Sequence, residues 1–276
     1  MSEDPSELPP VLTDAPLTYG SYLRVPELLT LQERLSVPAH HDEMLFIIIH
    51  QVYELWFKQL LHEADAALAA LDADQVLKAH KIFKRITTIQ RVLNAQIAIL
   101  ETMTPQDFDV FRARLNPASG FQSQQFRELE FLSGLKDERY LKFHAHDAAA
   151  TARLKARLAA PTIWDAFVAL LRRRGFGLPD PTPAEGEASW DALLESLAEI
   201  YRHPEANYDL YLTCELLVDY DELLQLWRFA HVKMVERTIG MRRGTGGSSG
   251  AKYLATTLSR RCFPALWDLR SVLGAT

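Results

Sequence analysis

Three long, uninterrupted helical runs constrain this chain more than any other feature. They are HHDEMLFIIIHQVYELWFKQLLHEADAALAAL (40–71), DQVLKAHKIFKRITTIQRVLNAQIAILETM (74–103), and a stretch from about 205 to 239 through YDLYLTCELLVDYDELLQLWRFAHVKMVERTI. Each carries apolar residues at helical spacing. A helix of about 30 residues is about 45 Å long, enough to cross a whole domain. Rods of that length bury their apolar faces against one another. The expectation is therefore an all-α fold, long antiparallel helices forming a bundle, with smaller peripheral helices. No segment shows the period of two that a half-buried strand requires. Asp74 is placed to cap the second rod and Gly240 to stop the third. Thr104-Pro105 is placed to open a shorter helix, PQDFDVFRARL.

The connecting segments follow from local chemistry. YGSYLRVPELLTLQERL (19–35) reads as helical with a proline-set start inside it, NPASGFQS breaks the pattern, and SQQFRELEFLSG resumes it. The region from about 144 to 203 is rich in alanine and arginine. It reads as peripheral helices around a connecting loop, GFGLPDPTPAEGEAS. Residues 1–16 are acidic and proline-rich and are expected to form a disordered tail, leaving 17–276 as a single all-helical domain. The net charge of -6 argues against a nucleic-acid partner. No apolar run of about 18 residues exists, so no membrane span is expected. The start lacks the pattern of a secretory signal, and Cys214 and Cys262 form no disulfide framework. A reduced, cytoplasmic protein is the expectation.

Two histidines fall on inward stripes. On the third rod, Tyr220, Leu224, Trp227, His231 and Thr238 share a face; on the first, Phe46, His50, Tyr53 and Phe57 do. Each imidazole is either a core histidine bonded to a neighbour's backbone or a ligand. Burial disfavours its charged form, and a neutral imidazole can bind a metal. Two inward histidines on two rods suit a planar iron cofactor; without CxxCH any haem would be non-covalent. Zinc fits less well, since HEADA (62–66) is not HExxH and no third partner joins His144 and His146. Those two, with His40, His41, His80 and His203, read as solvated surface residues. Arg112 follows Phe108 by one turn, a pairing that suits a ligand with a ring and a carboxylate, or an ordinary surface salt bridge. GTGGSSG (244–250) fails both the dinucleotide and the phosphate-loop patterns. It reads as a small-residue loop able to close over a ligand, or as a spacer, although too little chain follows it for another domain.

YGSYL (19–23), FIIIHQVYELWFKQLLHE (46–63), FRARLNPASGFQSQQFRELE (111–130) and WRFAHVKMVERTIG with the glycine loop (227–254), in that order, resemble the haem-dependent, bacterial-type tryptophan 2,3-dioxygenase family. The resemblance implies a bundle built around a non-covalent haem b, ferrous in its active form, with His231 as the axial iron ligand. It implies His50 on the distal side near the substrate's indole N–H, positioning substrate or acting as a base. Phe46, Ile47, Ile48 and Ile49 would belong to the substrate-contacting segment. Phe108 would face the substrate, Arg112 would hold its carboxylate, and Thr245 would bond its amino-acid end. Ser119 would lie near haem and substrate. Tyr19, Tyr22 and Leu23 would complete a neighbouring subunit's pocket in a homotetramer. The implied reaction joins L-tryptophan and O₂ to give N-formyl-L-kynurenine, the first step of tryptophan degradation by the kynurenine pathway. A non-catalytic haem sensor or carrier on the same scaffold is the alternative.

Overall fold

The structure is a computed structural model and describes residues 16–179, 186–246 and 249–274, with residues 186 and 187 as main chain only. The expected acidic tail, the middle of the 175–189 loop and residues 247–248 of the glycine loop lie mainly outside the described residues. Two short helices, α1 (Tyr19–Leu23) and α2 (Val25–Leu28), precede three rods: α3 (His41–Asp72), α4 (Val76–Leu100) and α10 (Tyr208–Ile239). Between α4 and α10 come α5 (Pro105–Arg112), α6 (Gln124–Leu132), α7 (Ala148–Ala159), α8 (Ile163–Arg173) and α9 (Gly186–Arg202). After α10 come α11 (Ala251–Ala255) and α12 (Pro264–Leu273); no strand occurs among the described residues. No helix among the described residues is long and apolar enough to cross a membrane.

The rods pack through named polar links as well as apolar surface. α3 and α4 are joined by a tight turn and run antiparallel, and the Tyr53 hydroxyl donates to the Leu93 carbonyl at 2.7 Å. α4 and α10 run parallel. His80 bonds the Asp209 carbonyl, Gln90 donates to Tyr220, Asn94 donates to Leu223, and Arg237 pairs with Glu101. Both residue numbers in these pairs rise together. The long return through α5–α9 brings the chain back to the start of α4 before α10 begins. Only α3 is antiparallel to its two partners.

Local signals act as expected at several ends. Thr104 caps α5 in a capping box with Asp107, and α10 stops at Gly240, whose φ of 59° favours glycine. Others differ. Asp74 does not cap α4, because its side chain is drawn away to Arg174 at 2.5–3.0 Å. The helix expected over residues 19–35 stops at Leu28; beyond it, the backbone N–H groups of Leu35 and Ser36 donate to Glu43 of α3. α8 and α9 are not merely peripheral: Phe167, Leu170 and Leu197 are fully buried in the main core. That core fills the end of the bundle around the α3–α4 turn. A smaller cluster around Ile49, Ile97, Phe111 and Met234 fills the other end. The candidate site lies beside this second cluster.

Candidate functional site

α3 and α10 face each other across a cavity of about 300 Å³, into which both His50 and His231 project. The stripes explain why. Phe46 and His50 are one turn apart with ring centroids 4.1 Å apart, and Tyr53 and Phe57 continue the same face. On α10, Trp227 lies one turn before His231 and stacks on it at 5.0 Å with an interplanar angle of 8°. Burial, with smaller contributions from His50 and Arg127, pushes the His231 pKa down to about 4, so its imidazole is neutral at ordinary pH. Neither of its ring nitrogens has a hydrogen-bond partner among the described residues. The His50 ring is open to the cavity yet walled by protein; burial lowers its pKa, partly offset by its bond to Phe46 and by Glu54. His50 Nδ1 lies 2.6 Å from the Phe46 carbonyl. A carbonyl can only accept, so Nδ1 carries the proton and Nε2 turns its lone pair to the cavity.

Across the rim, α5 supplies Phe108 and Arg112 and the following loop supplies Ser119. Phe108 is buried against Phe46 at 5.7 Å and Phe111 at 5.4 Å. The glycine loop closes this side. Arg242 pairs with Asp109 at 2.8 Å, Arg112 donates to the Arg243 carbonyl, and the Thr245 hydroxyl donates to the Ala118 carbonyl at 2.6 Å. The small residues have a physical reason. A Cβ on Gly246 would lie 2.5 Å from that of Ser119, and one on Gly250 would lie 2.5 Å from the Arg242 carbonyl oxygen. Gly250 also has a φ of 60°. Gly244, Thr245 and Gly250 line the cavity, so the spacer reading fails.

His50, Phe108, Arg112, Ser119, Thr245 and His231 therefore share one cavity, with Phe46 behind His50. Ile47, Ile48 and Ile49 do not line it, because only every third or fourth residue of α3 turns that way. Ile49 enters the small core, and Ile48 is 42% exposed on the outer face. Tyr19, Tyr22 and Leu23 stand exposed on the N-terminal arm and line no part of this cavity. Two supposed surface histidines are not solvated. His144 is buried, its Nε2 without a partner among the described residues, and His80 bonds α10.

Sequence reading missed a polar wall: Arg127 and Glu130 on α6, Arg228 on α10, and the Tyr140–Tyr253 hydroxyl pair at 2.7 Å. The three-residue spacing of Arg127 and Glu130 was visible in FRELE. Their meeting with Arg228 at 2.8 Å from Glu130 is purely tertiary. No cluster of three or more His, Cys, Asp or Glu able to hold a metal exists among the described residues.

Known proteins resemble this chain along most of its length. The profile of the family described as Tryptophan 2,3-dioxygenase matches residues 11–162 and 184–273. A tryptophan 2,3-dioxygenase from Nocardioides sp. strain JS614 is 52% identical over 265 residues, covering 94% of this chain and 96% of that protein. Those of Anaeromyxobacter dehalogenans and Caulobacter vibrioides are each 46% identical, covering 96% and 93% of this chain and 99% and 98% of their own.

Proposed function

The chain belongs to the tryptophan 2,3-dioxygenase family, and from that premise we propose that its cavity holds L-tryptophan beside a non-covalent haem b. The reaction inserts both atoms of O₂ across the C2–C3 bond of the indole ring. That bond breaks, two C=O bonds form, and no external electron donor is consumed, giving N-formyl-L-kynurenine.

The donor set fits such a cofactor. A metal bound by protein alone needs three or four clustered ligands, whereas a porphyrin brings four nitrogens of its own and asks the chain for one or two. Two neutral imidazoles on facing rods meet that need. Ferrous haem, when bound, supplies the centre at which O₂ is activated. His231 is the residue we assign to the iron. Its support is a neutral ring, the absence of a competing hydrogen bond among the described residues, and a plane fixed by Trp227. His50 is assigned to positioning: with its Nδ1 proton committed to Phe46, Nε2 is free to accept the indole N–H.

The rim suits an amino acid. Arg112 has five N–H donors and spends one on the Arg243 carbonyl, leaving others for a carboxylate. Thr245 would bond the amino-acid end. Phe46 and Phe108 offer apolar faces to the indole, and Ser119 sits where loop and cavity meet. Ile47–Ile49 would support this segment from behind. The docked glycine loop would exclude water once substrate is seated. Tyr19, Tyr22 and Leu23 stand exposed among the described residues, which fits an arm completing a neighbour's pocket in a homotetramer. A passive haem sensor or carrier would need neither Arg112 nor Thr245 at the rim.

One observation carries the reading: rods far apart in sequence bring two neutral imidazoles to one cavity rimmed by Arg112 and Thr245. The test supplies haem, reductant, L-tryptophan and isotopically labelled dioxygen to the purified chain. Both labelled atoms should appear in N-formyl-L-kynurenine, and H231A should lose haem or turnover. Haem binding without ring opening would favour the carrier. Failure to take up haem would remove the cofactor assignment.

A further inference from the structure

One wall of the cavity carries more positive charge than the chain itself neutralises. Arg127 and Arg228 are 6% and 4% exposed, and both lean on a single carboxylate, Glu130, which is itself buried. Both terminal nitrogens of Arg228 have partners: it donates to Glu130 at 2.8 Å and to the Arg260 carbonyl at 3.2 Å. Arg127 is less fully paired. One of its terminal nitrogens bonds Glu130, its Nε has no partner among the described residues, and its guanidinium lies 4.1 Å from the Tyr140 ring centroid. Two other acids in this region do not pair with Arg127 among the described residues. Glu54 accepts from Gln125, and Asp221 accepts from the N–H groups of Cys262, Phe263 and the Trp267 indole. His144, close enough for Arg127 to help lower its pKa, offers no negative charge.

Arginine cannot shed its proton to escape this setting. A buried, half-compensated guanidinium is costly unless an anion completes it. Here the anion has to come from whatever fills the cavity, since Arg127, Arg228 and Glu130 all line it. A substrate carboxylate is already served by Arg112 at the loop side, whereas Arg127 is tied through Glu130 to Arg228 on α10, the rod that carries His231. Haem b carries two propionate carboxylates that need partners.

We propose that Arg127 is the anchor for a haem propionate, held in position by the Glu130–Arg228 pair, with the Tyr140–Tyr253 hydroxyls beside it. This rests on the haem reading above. The bound carboxylate completes the charge balance that the chain leaves open, so cofactor recognition has two poles: an imidazole for the iron and a guanidinium for the periphery.

The experiment loads full-length protein with haem b or with its dimethyl ester, in which both propionate charges are removed. Transfer of each to excess apomyoglobin is followed by the Soret band. Wild type should hold haem b at least about tenfold longer than the diester, the ratio expected for one charge-assisted bond. R127Q should lose most of that preference, and R127K should keep part of it, with helix content checked by circular dichroism. A wild type that holds both forms equally overturns the proposal without any variant. So does an R127Q that keeps the full preference, or one whose only change is a raised KM for L-tryptophan. A wild type that takes up neither form refutes the haem reading itself, and the anchor with it; a Soret band without ester discrimination refutes the anchor alone.

Discussion

Single side chains set both the chemistry and the attachment of this site. Arg112 is the clearest case for chemistry. R112L should weaken L-tryptophan binding about tenfold or more, the worth of a charge-assisted bond, and a titration showing unchanged affinity would remove it from the pocket. Glu43 is the case for attachment. Burial alone would raise its pKa, but the Ser36 hydroxyl and the N–H groups of Leu35 and Ser36 outweigh that and hold it below the ordinary carboxylate range. A carboxyl whose folded-state pKa is depressed stabilises above its unfolded value, and that contribution is lost as pH falls through the folded one. Acidification below the ordinary carboxylate range should therefore release residues 35–36 from α3, and E43Q should release them at neutral pH. Amide exchange measures this directly; equal protection in wild type and E43Q would refute it.

Elements then place these residues. α5 is short, and its capping box with Pro105 at the first position starts it at a defined point, so Phe108 and Arg112 fall one turn apart on one face. That much was legible in TPQDFDVFR. The stripe carrying Trp227 and His231 was equally legible, because helical periodicity survives whatever the rods pack against. The same periodicity rotates Ile47 and Ile48 away from the cavity. The glycine loop is where sequence reading reached its limit. Small residues signalled a close approach, but what they approach is Ser119 and the Arg242 carbonyl, each brought there by tertiary packing. G246A should push the loop off Ser119 and break the Arg112 and Thr245 latches, raising KM for L-tryptophan several-fold while leaving helix content intact. An unchanged KM would mean the loop takes no part in holding substrate.

At the scale of the whole molecule, the exposed N-terminal arm is the feature a single chain leaves unexplained. Tyr19 and Tyr22 are 79% and 71% exposed, beside Leu17 and Leu29. Isolated apolar residues at a surface are ordinary, whereas large contiguous patches are characteristic of interaction sites. Deleting residues 1–24 should abolish most activity and alter the assembly measured by light scattering. A fully active truncation would show that the pocket is complete within one chain.

The rods, their inward faces, the start of α5 and the stop of α10 could be read from the residues alone, because each depends on contacts within about one helical turn. The residues also carried the family, through long ordered motifs. Three outcomes came from packing: α4 and α10 run parallel, Asp74 turns to Arg174 instead of capping, and Arg127, Glu130 and Arg228 share a buried wall. Those outcomes depend on charges and backbone groups far apart in the chain competing for the same partners in low dielectric. No local pattern records which of them wins.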